Sequence, residues 1–499
     1  MATPHLTKSR YLAGLQCLRR LWLQVHEPQD YAQPEPGSPI DVGLEIGRKA
    51  RLLFPGGMLV EEAPWQHADA VARTAALMQD PSVPAIFEAA FGWQDLRVRV
   101  DLLERHPDGW GLLEVKSSGG VKDHHLDDIA LQAHVLEAAG VRLRAIEVLH
   151  VNTAYVRGPD EIDWRAFFAR VDVSDDVAAR VTEVPHHLPA MRDSLGRETL
   201  PHAEPGKQCS NPYACQFWDR CTADKPADWV RYMPRLTAAQ ADRLDALGVT
   251  AISDIPSDFP LAGKQAIIRD AIASGQPYVA PDLARLLHRF GPPACYLDFE
   301  AMMPPIPLYE GTRPYQTLPF QWSLHVLAAD GTLHHEAFLA GTDGDPRRPF
   351  AETLIAALDG SDLPIIVYSA YEQTQLKALA AQFPDLAEPI TAIINRLADL
   401  LPVVRGAVYF PDFGFSNSIK AVAPALCPGF GYDDLADIAD GVAASAAFAQ
   451  MASGAIADPA DIAQLRQALL SYCERDTLAM VQVHRALIAL AQPDRPDAA

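Results

Sequence analysis

Three groups of residues have types and spacings suited to chemistry. In the first, Asp101 stands before a turn sequence, and Glu114 and Lys116 follow it two positions apart. Two apart on a strand means one face of a sheet, with Asp101 in reach if the two strands form a hairpin. Hydrolysing a phosphodiester with a divalent ion needs carboxylates to hold the ion and a cation for the attacking water or the developing charge. Exposed charges on an edge strand look the same, so the triplet alone leaves both readings open.

The second group is four cysteines. Cys17 lies in Leu15-Gln16-Cys17-Leu18-Arg19-Arg20, and Cys209, Cys215 and Cys221 follow at even spacing far downstream. In a cytosolic chain such clustering points to metal rather than disulfides. Tetrahedral zinc is one candidate, although zinc loops usually carry tighter cysteine pairs. Cys295, Cys427 and Cys473 are expected in the core.

The third group is acidic. Asp298 and Glu300 share strand spacing in Cys295-Tyr296-Leu297-Asp298-Phe299-Glu300, and Tyr472 and Asp476 lie four apart on one helical face. Between them Tyr371-Glu372 follows a strand end, with Asp399 in Leu397-Ala398-Asp399-Leu400-Leu401 as a fallback ligand. Paired divalent ions about 3.5–4 Å apart need several converging carboxylates. The tyrosine would orient the attacking water.

These residues need elements to position them. An α/β pattern covers residues 1–225. Helices are expected over Lys8–Trp22 and about Val42–Leu53, strands over Leu96–Leu103 and Trp110–Ser117, and a helix from Asp123 that Gly140 closes. Residues 226–290 read as a helical linker (Ala238–Leu247, then Leu261–Ser274), weakly like a helix–hairpin–helix. Residues 291–499 open with strands near Ala294–Phe299, Phe320–Ala328 and Thr332–Leu339. Helix, strand (Pro364–Tyr368) and helix follow, and a long helix runs from Asp461 to about Ala491. That β-β-β-α-β-α order is the order of an RNase-H-like fold.

The chain has 499 residues and a net charge of −22, with the acidic excess concentrated after residue 285. Such a balance argues against a basic protein that coats duplex nucleic acid. A local groove with aromatic stacking stays compatible with it. The opening lacks an apolar leader core and no apolar run is long enough to span a bilayer, so a cytoplasmic location without membrane contact is expected.

The first group resembles PD-(D/E)XK nucleases, in particular the RecB-like, CRISPR-associated exonuclease branch. Val100-Asp101-Leu102-Leu103, Leu113-Glu114-Val115-Lys116-Ser117-Ser118 and Leu126-Asp127-Asp128-Ile129-Ala130-Leu131-Gln132 carry the likeness. It implies Gln132 beside the substrate, and Glu88 in Ile86-Phe87-Glu88-Ala89-Ala90 as a helical acidic ligand. The tyrosine common four residues after the glutamine is Leu136 here. The four cysteines resemble the [4Fe-4S] staple of that branch, at different spacing. The third group is similar to the DEDDy branch of DnaQ-like exonucleases, with Glu372 where an aspartate is usual. Together the resemblances imply an uncharacterised bacterial family fusing two nuclease-like halves. The expectation is a Mg²⁺- or Mn²⁺-dependent nuclease acting on single-stranded DNA or DNA ends. The competing expectation is a nucleic-acid-binding or regulatory scaffold with one or both folds inactive.

Overall fold

A computed structural model describes residues 4–28, 34–435, 438 and 440–492. The chain is a mixed α/β protein that divides into two units. Met1–Asp224 with Pro305–Tyr315 make the first, and Lys225–Pro304 with Gln316–Ala499 make the second. The middle stretch that reads as a linker is thus part of the second unit. Residues 305–315 join the first, where Arg157 exchanges backbone hydrogen bonds with Gly311 and Thr312.

In the first unit the strands are β1 (Leu6–Thr7), β2 (Met58–Leu59), β3 (Ala85–Trp93), β4 (Leu96–His106), β5 (Gly109–Lys116), β6 (Leu143–Val151) and β7 (Phe168–Asp172). They form one sheet in the order β2-β3-β4-β5-β6-β7, with β1 beside the start of β4. Strand β4 alternates buried Leu96, Val98 and Val100 with half-exposed Arg97 and Arg99, the period-two pattern of a strand with one face on the core. Pro107-Asp108 turns β4 into β5, antiparallel to it. The helix Asp123–Ala138 then crosses back so that β6 runs parallel to β5. Gly140, at φ +84°, ends that crossover in the left-handed region open to glycine.

Three expectations change here. The single helix over Lys8–Trp22 is two, Lys8–Gln16 and Leu18–His26, because Cys17 is extended and serves as end cap of one and start cap of the next. The next helix runs Pro39–Ala50, starting earlier because Ser38 caps it and Pro39 suits a first turn. Glu88 is not helical: it lies on β3 at φ 57°, where pairing with β4 lapses between Phe87↔Leu102 and Ala89↔Val100.

In the second unit the strands are β8 (Tyr278–Val279), β9 (Ala294–Met302), β10 (Leu318–Leu327), β11 (Leu333–Leu339), β12 (Ile365–Val367), β13 (Leu397–Asp399) and β14 (Val408–Tyr409). The main sheet has the order β11-β10-β9-β12-β13, with β8 and β14 paired separately. Strands β9, β10 and β11 are antiparallel; β12 runs parallel to β9 and to β13. The helix Pro459–Leu490, capped by Asp458, packs on β9 and β10. Buried polar groups pin it: Thr477 Oγ1 lies 2.8 Å from both Ser323 Oγ and His325 Nδ1. Helices Ala238–Ala246 and Gly263–Ser274 are separated by a 3₁₀ turn at Ile252–Asp254 rather than by a short hairpin, because Ile252 and Phe259 of the connection are themselves core residues. No helix among the described residues is long and apolar enough to cross a membrane.

Candidate active and metal sites

In the second unit, β9 carries Asp298 and Glu300 on one face, register-paired with Ser323 and Gln321 of β10. The long helix supplies Tyr472, Cys473 and Asp476. Carboxylate oxygens of Asp298 and Glu300 and the Cys473 sulfur all lie within 4.8 Å of one another. Glu372 enters from the first turn of the helix Tyr371–Gln382 and hydrogen-bonds with Asp298. Tyr432 donates to Asp476 Oδ1 at 2.7 Å, and Tyr472 also bonds that carboxylate. Sequence spacing therefore brings all five predicted residues, Asp298, Glu300, Glu372, Tyr472 and Asp476, into one place.

Electrostatics sets this cluster apart. Glu300, Glu372 and Asp476 are buried. Burial, then Asp476, Glu300 and Glu372, hold the Asp298 carboxyl well above its usual range. Glu300 is pushed up to about 8 by burial and Asp476, with Lys420 opposing. Burial, with Asp399 adding to it, takes Glu372 to about 7, and Asp476 is raised by burial against its tyrosine bonds. Four acids thus share a dry site with Lys420 as the opposing cation, whose ammonium stands 4.7 Å from the Tyr472 ring. The donor set, carboxylate oxygens converging without matching positive charge, fits hard divalent cations. Asp399 stands one strand away, its carboxylate accepting from Leu401 N at 2.9 Å, and acts on Glu372 through its charge. Cys473 is a core residue as expected, yet its thiol faces Asp298 Oδ2 at 3.8 Å.

In the first unit, Glu88 sits across from Asp101, and continuing the β4–β5 register puts Asp101 opposite Glu114. Three acids thus form a row over three strands. They are not free: Arg51 bonds Glu88 at 3.1 Å, and Glu114 Oε1 accepts from both Lys8 and Lys116 at 2.7 Å. Lys116 also meets Asp128 Oδ2 at 2.6 Å, and Gln132 Nε2 bridges Glu114 at 2.7 Å and Asp128 at 3.0 Å. Burial alone would raise Glu114, but Lys116 and Lys8 outweigh it and hold it low. Burial and Glu114 push Asp101 up to about 7. Its Oδ2 accepts from Val115 N at 2.8 Å.

Lys8 and Asp128 were missed by sequence reasoning. Asp128 had a signal, because it lies four before Gln132 on the same helix. Lys8 had none, being 106 residues from its partner Glu114.

Cys17, Cys209, Cys215 and Cys221 line one small pocket and act on one another electrostatically. Gln16 fastens the two cysteine segments by donating to the carbonyls of Gln208, at 2.5 Å, and Tyr213, at 2.8 Å. Zinc–sulfur bonds of about 2.3 Å would hold tetrahedral thiolates roughly 4 Å apart. Among the described residues, no three of these sulfurs lie within 4.8 Å of one another.

A family model described as a domain of unknown function, DUF2779, matches residues 295–418. The match takes in Asp298, Glu300, Glu372 and Asp399 and stops before Tyr472 and Asp476. No curated protein matches the chain.

Proposed function

We propose that this protein is a Mg²⁺- or Mn²⁺-dependent nuclease acting on DNA, single-stranded or at ends. The carboxylates of half-buried Asp298 and buried Glu300, Glu372 and Asp476 carry the reading, since gathering several acids out of water without matching cations is costly unless metal ions complete the site. Divalent ions held there would activate water and neutralise charge on the phosphoryl oxygens. Asp298 and Glu300 would hold them from the strand, Asp476 and Glu372 from the two helices. Tyr472, bonded to Asp476, would orient a water molecule whose oxygen bonds phosphorus as the P–O bond to the leaving strand breaks. The strand order of the second unit supports an RNase-H-like domain of the DnaQ type. The Asp101–Glu114–Lys116–Gln132 grouping supports a PD-(D/E)XK-like first unit, and the four thiols support a [4Fe-4S] cluster, with zinc as the alternative. One observation favours a scaffold role for the first unit alone: Lys8 and Lys116 already bond Glu114 and Asp128.

The test is a nuclease assay on end-labelled single- and double-stranded DNA and RNA with Mg²⁺ or Mn²⁺. Wild type, Asp298→Ala, Lys116→Ala and the double variant are compared. Loss of cleavage in Asp298→Ala supports the second site. Equal background release by wild type and the double variant would sink the enzyme reading.

A further inference from the structure

The second unit holds a pocket remote in sequence from the four acids. Its volume is about 770 Å³, and it lies where the starts of helices Ala238–Ala246 and Gly263–Ser274 meet residues 405–417. That lies within the about 300–1,000 Å³ of ligand sites, room for a short section of a polymer. In a chain of net charge −22, its lining contains Arg235, Lys264 and Arg405 and no acidic residue. Both helices begin there, so their positive dipole ends add to the field. Burial holds the Lys264 ammonium below its usual value, a cost that a neighbouring anion would offset.

Tyr409 supplies a second, independent sign. It is 2% exposed, lines the pocket, and its hydroxyl has no hydrogen-bond partner among the described residues. A buried hydroxyl without a partner costs about 1–3 kcal/mol, which a ligand acceptor would recover. Phe415, half-buried, offers a ring on the same wall.

The pocket is joined to the acids along the chain. Asn417 on its lining is followed by Lys420, whose charge reaches Glu300 and Asp476. Arg405 acts on Asp399, which acts on Glu372.

Resting on the nuclease reading above, we propose that this pocket holds a single nucleic-acid strand, its phosphates against Arg235, Lys264 and Arg405 and a base against Phe415. The strand continues from here to the four carboxylates.

The experiment measures anisotropy of a fluorescein-labelled oligothymidylate with the full-length protein in EDTA, over a range of salt. Arg235→Ala/Arg405→Ala should weaken binding about ten- to hundredfold. It should also flatten the log–log salt slope by about 1.4, the loss of two phosphate contacts on a single strand. Arg235→Lys/Arg405→Lys should keep most of the affinity. Tyr409→Phe should cost about two- to tenfold with the slope unchanged. Circular dichroism melts establish that each variant is folded.

Binding and slope equal to wild type in the double alanine variant would overturn the proposal, even where wild type cuts DNA. Thymidine monophosphate binding as tightly as the oligomer would also overturn it, making the pocket a small-nucleotide site. If wild type binds through the pocket but cuts nothing with Mn²⁺, the strand site stands and the nuclease reading fails.

Discussion

Replacing Glu300 by glutamine should make the metal-free protein more stable at alkaline pH while making it useless as a metal binder. Glu300 has an ordinary value of 4.5 and is pushed up to about 8 in the folded chain. Between those values the folded state keeps a proton that the unfolded chain has released, so stability falls as pH rises from about 4.5 through 8. At about 1.4 kcal/mol per pH unit the ceiling of this penalty is about 5 kcal/mol. Glutamine removes the charge but must still bury a polar amide, leaving a net gain of on the order of 1–3 kcal/mol. At roughly 2–4 °C per kcal/mol for a unit of this size, Glu300→Gln should melt about 3–10 °C above wild type at pH 8 in EDTA. At pH 5, where the native carboxyl is already protonated, the gain should be lost and only the amide's burial cost should remain, so the variant melts at or below wild type. Saturating Mn²⁺ should invert the order, because metal at a hundredfold excess over its dissociation constant adds about 2.7 kcal/mol to wild type only. Scanning calorimetry at both pH values, with and without Mn²⁺, reads all four conditions. A variant that is destabilised equally at pH 5 and pH 8 without metal would refute the reasoning, since Glu300 would then be an ordinary satisfied buried group.

Asp298→Asn should behave in the same way, because burial, with Asp476, Glu300 and Glu372, holds its carboxyl up; a variant that retains the Mn²⁺-induced rise in Tm would count against it as a ligand. Cys17→Ser should abolish the visible absorption and iron content of protein purified without oxygen; stoichiometric zinc in a colourless wild type would instead reject the cluster. Thr477→Val leaves Ser323 and His325 without their shared partner and should lower the denaturation free energy by about 1–3 kcal/mol, whereas an unchanged urea midpoint would show that the network does not pin the helix.

The acids were legible because their arrangement obeys local periodicities. Asp298 with Glu300, and Glu114 with Lys116, follow the period of two along a strand, and Tyr472 with Asp476 follow one helical turn. The order of strands and helices in the second unit was readable for the same reason. What escaped was set by tertiary contacts. Lys8 reaches Glu114 only because the first helix lies against the sheet, and nothing local in Leu6-Thr7-Lys8-Ser9 marks it. Glu88 was expected on a helix because the nuclease resemblance implies a helical acid there, yet Ile86–Ala90 pairs with β4 as a strand. The break at Cys17 is likewise invisible to periodicity, since the helical pattern continues across it while the thiol turns toward three distant cysteines.

The two acidic sites differ in what a metal ion would meet on entering. In the second unit it would find carboxylates short of positive charge. In the first it must compete with the ammonium groups of Lys8 and Lys116, both bonded to Glu114 Oε1. Lys8 is the weaker obstacle in geometry, holding Asp128 at 3.3 Å where Lys116 holds it at 2.6 Å, and it comes from outside the sheet. Mn²⁺ should therefore fill the second unit first and the first unit only at higher concentration. Removing Lys8 should change both stability and affinity, in opposite senses. With Asp298→Ala as background to silence the second site, Lys8→Ala should lower the metal-free unfolding free energy in urea by about 1–3 kcal/mol, for a partly exposed ammonium bonded to buried acids. The same change should tighten Mn²⁺ binding by roughly tenfold, the worth of one charge-assisted hydrogen bond no longer broken on entry. Isothermal titration of the two proteins measures this directly. If Lys8→Ala binds Mn²⁺ no better than its parent, Lys8 does not compete for the site.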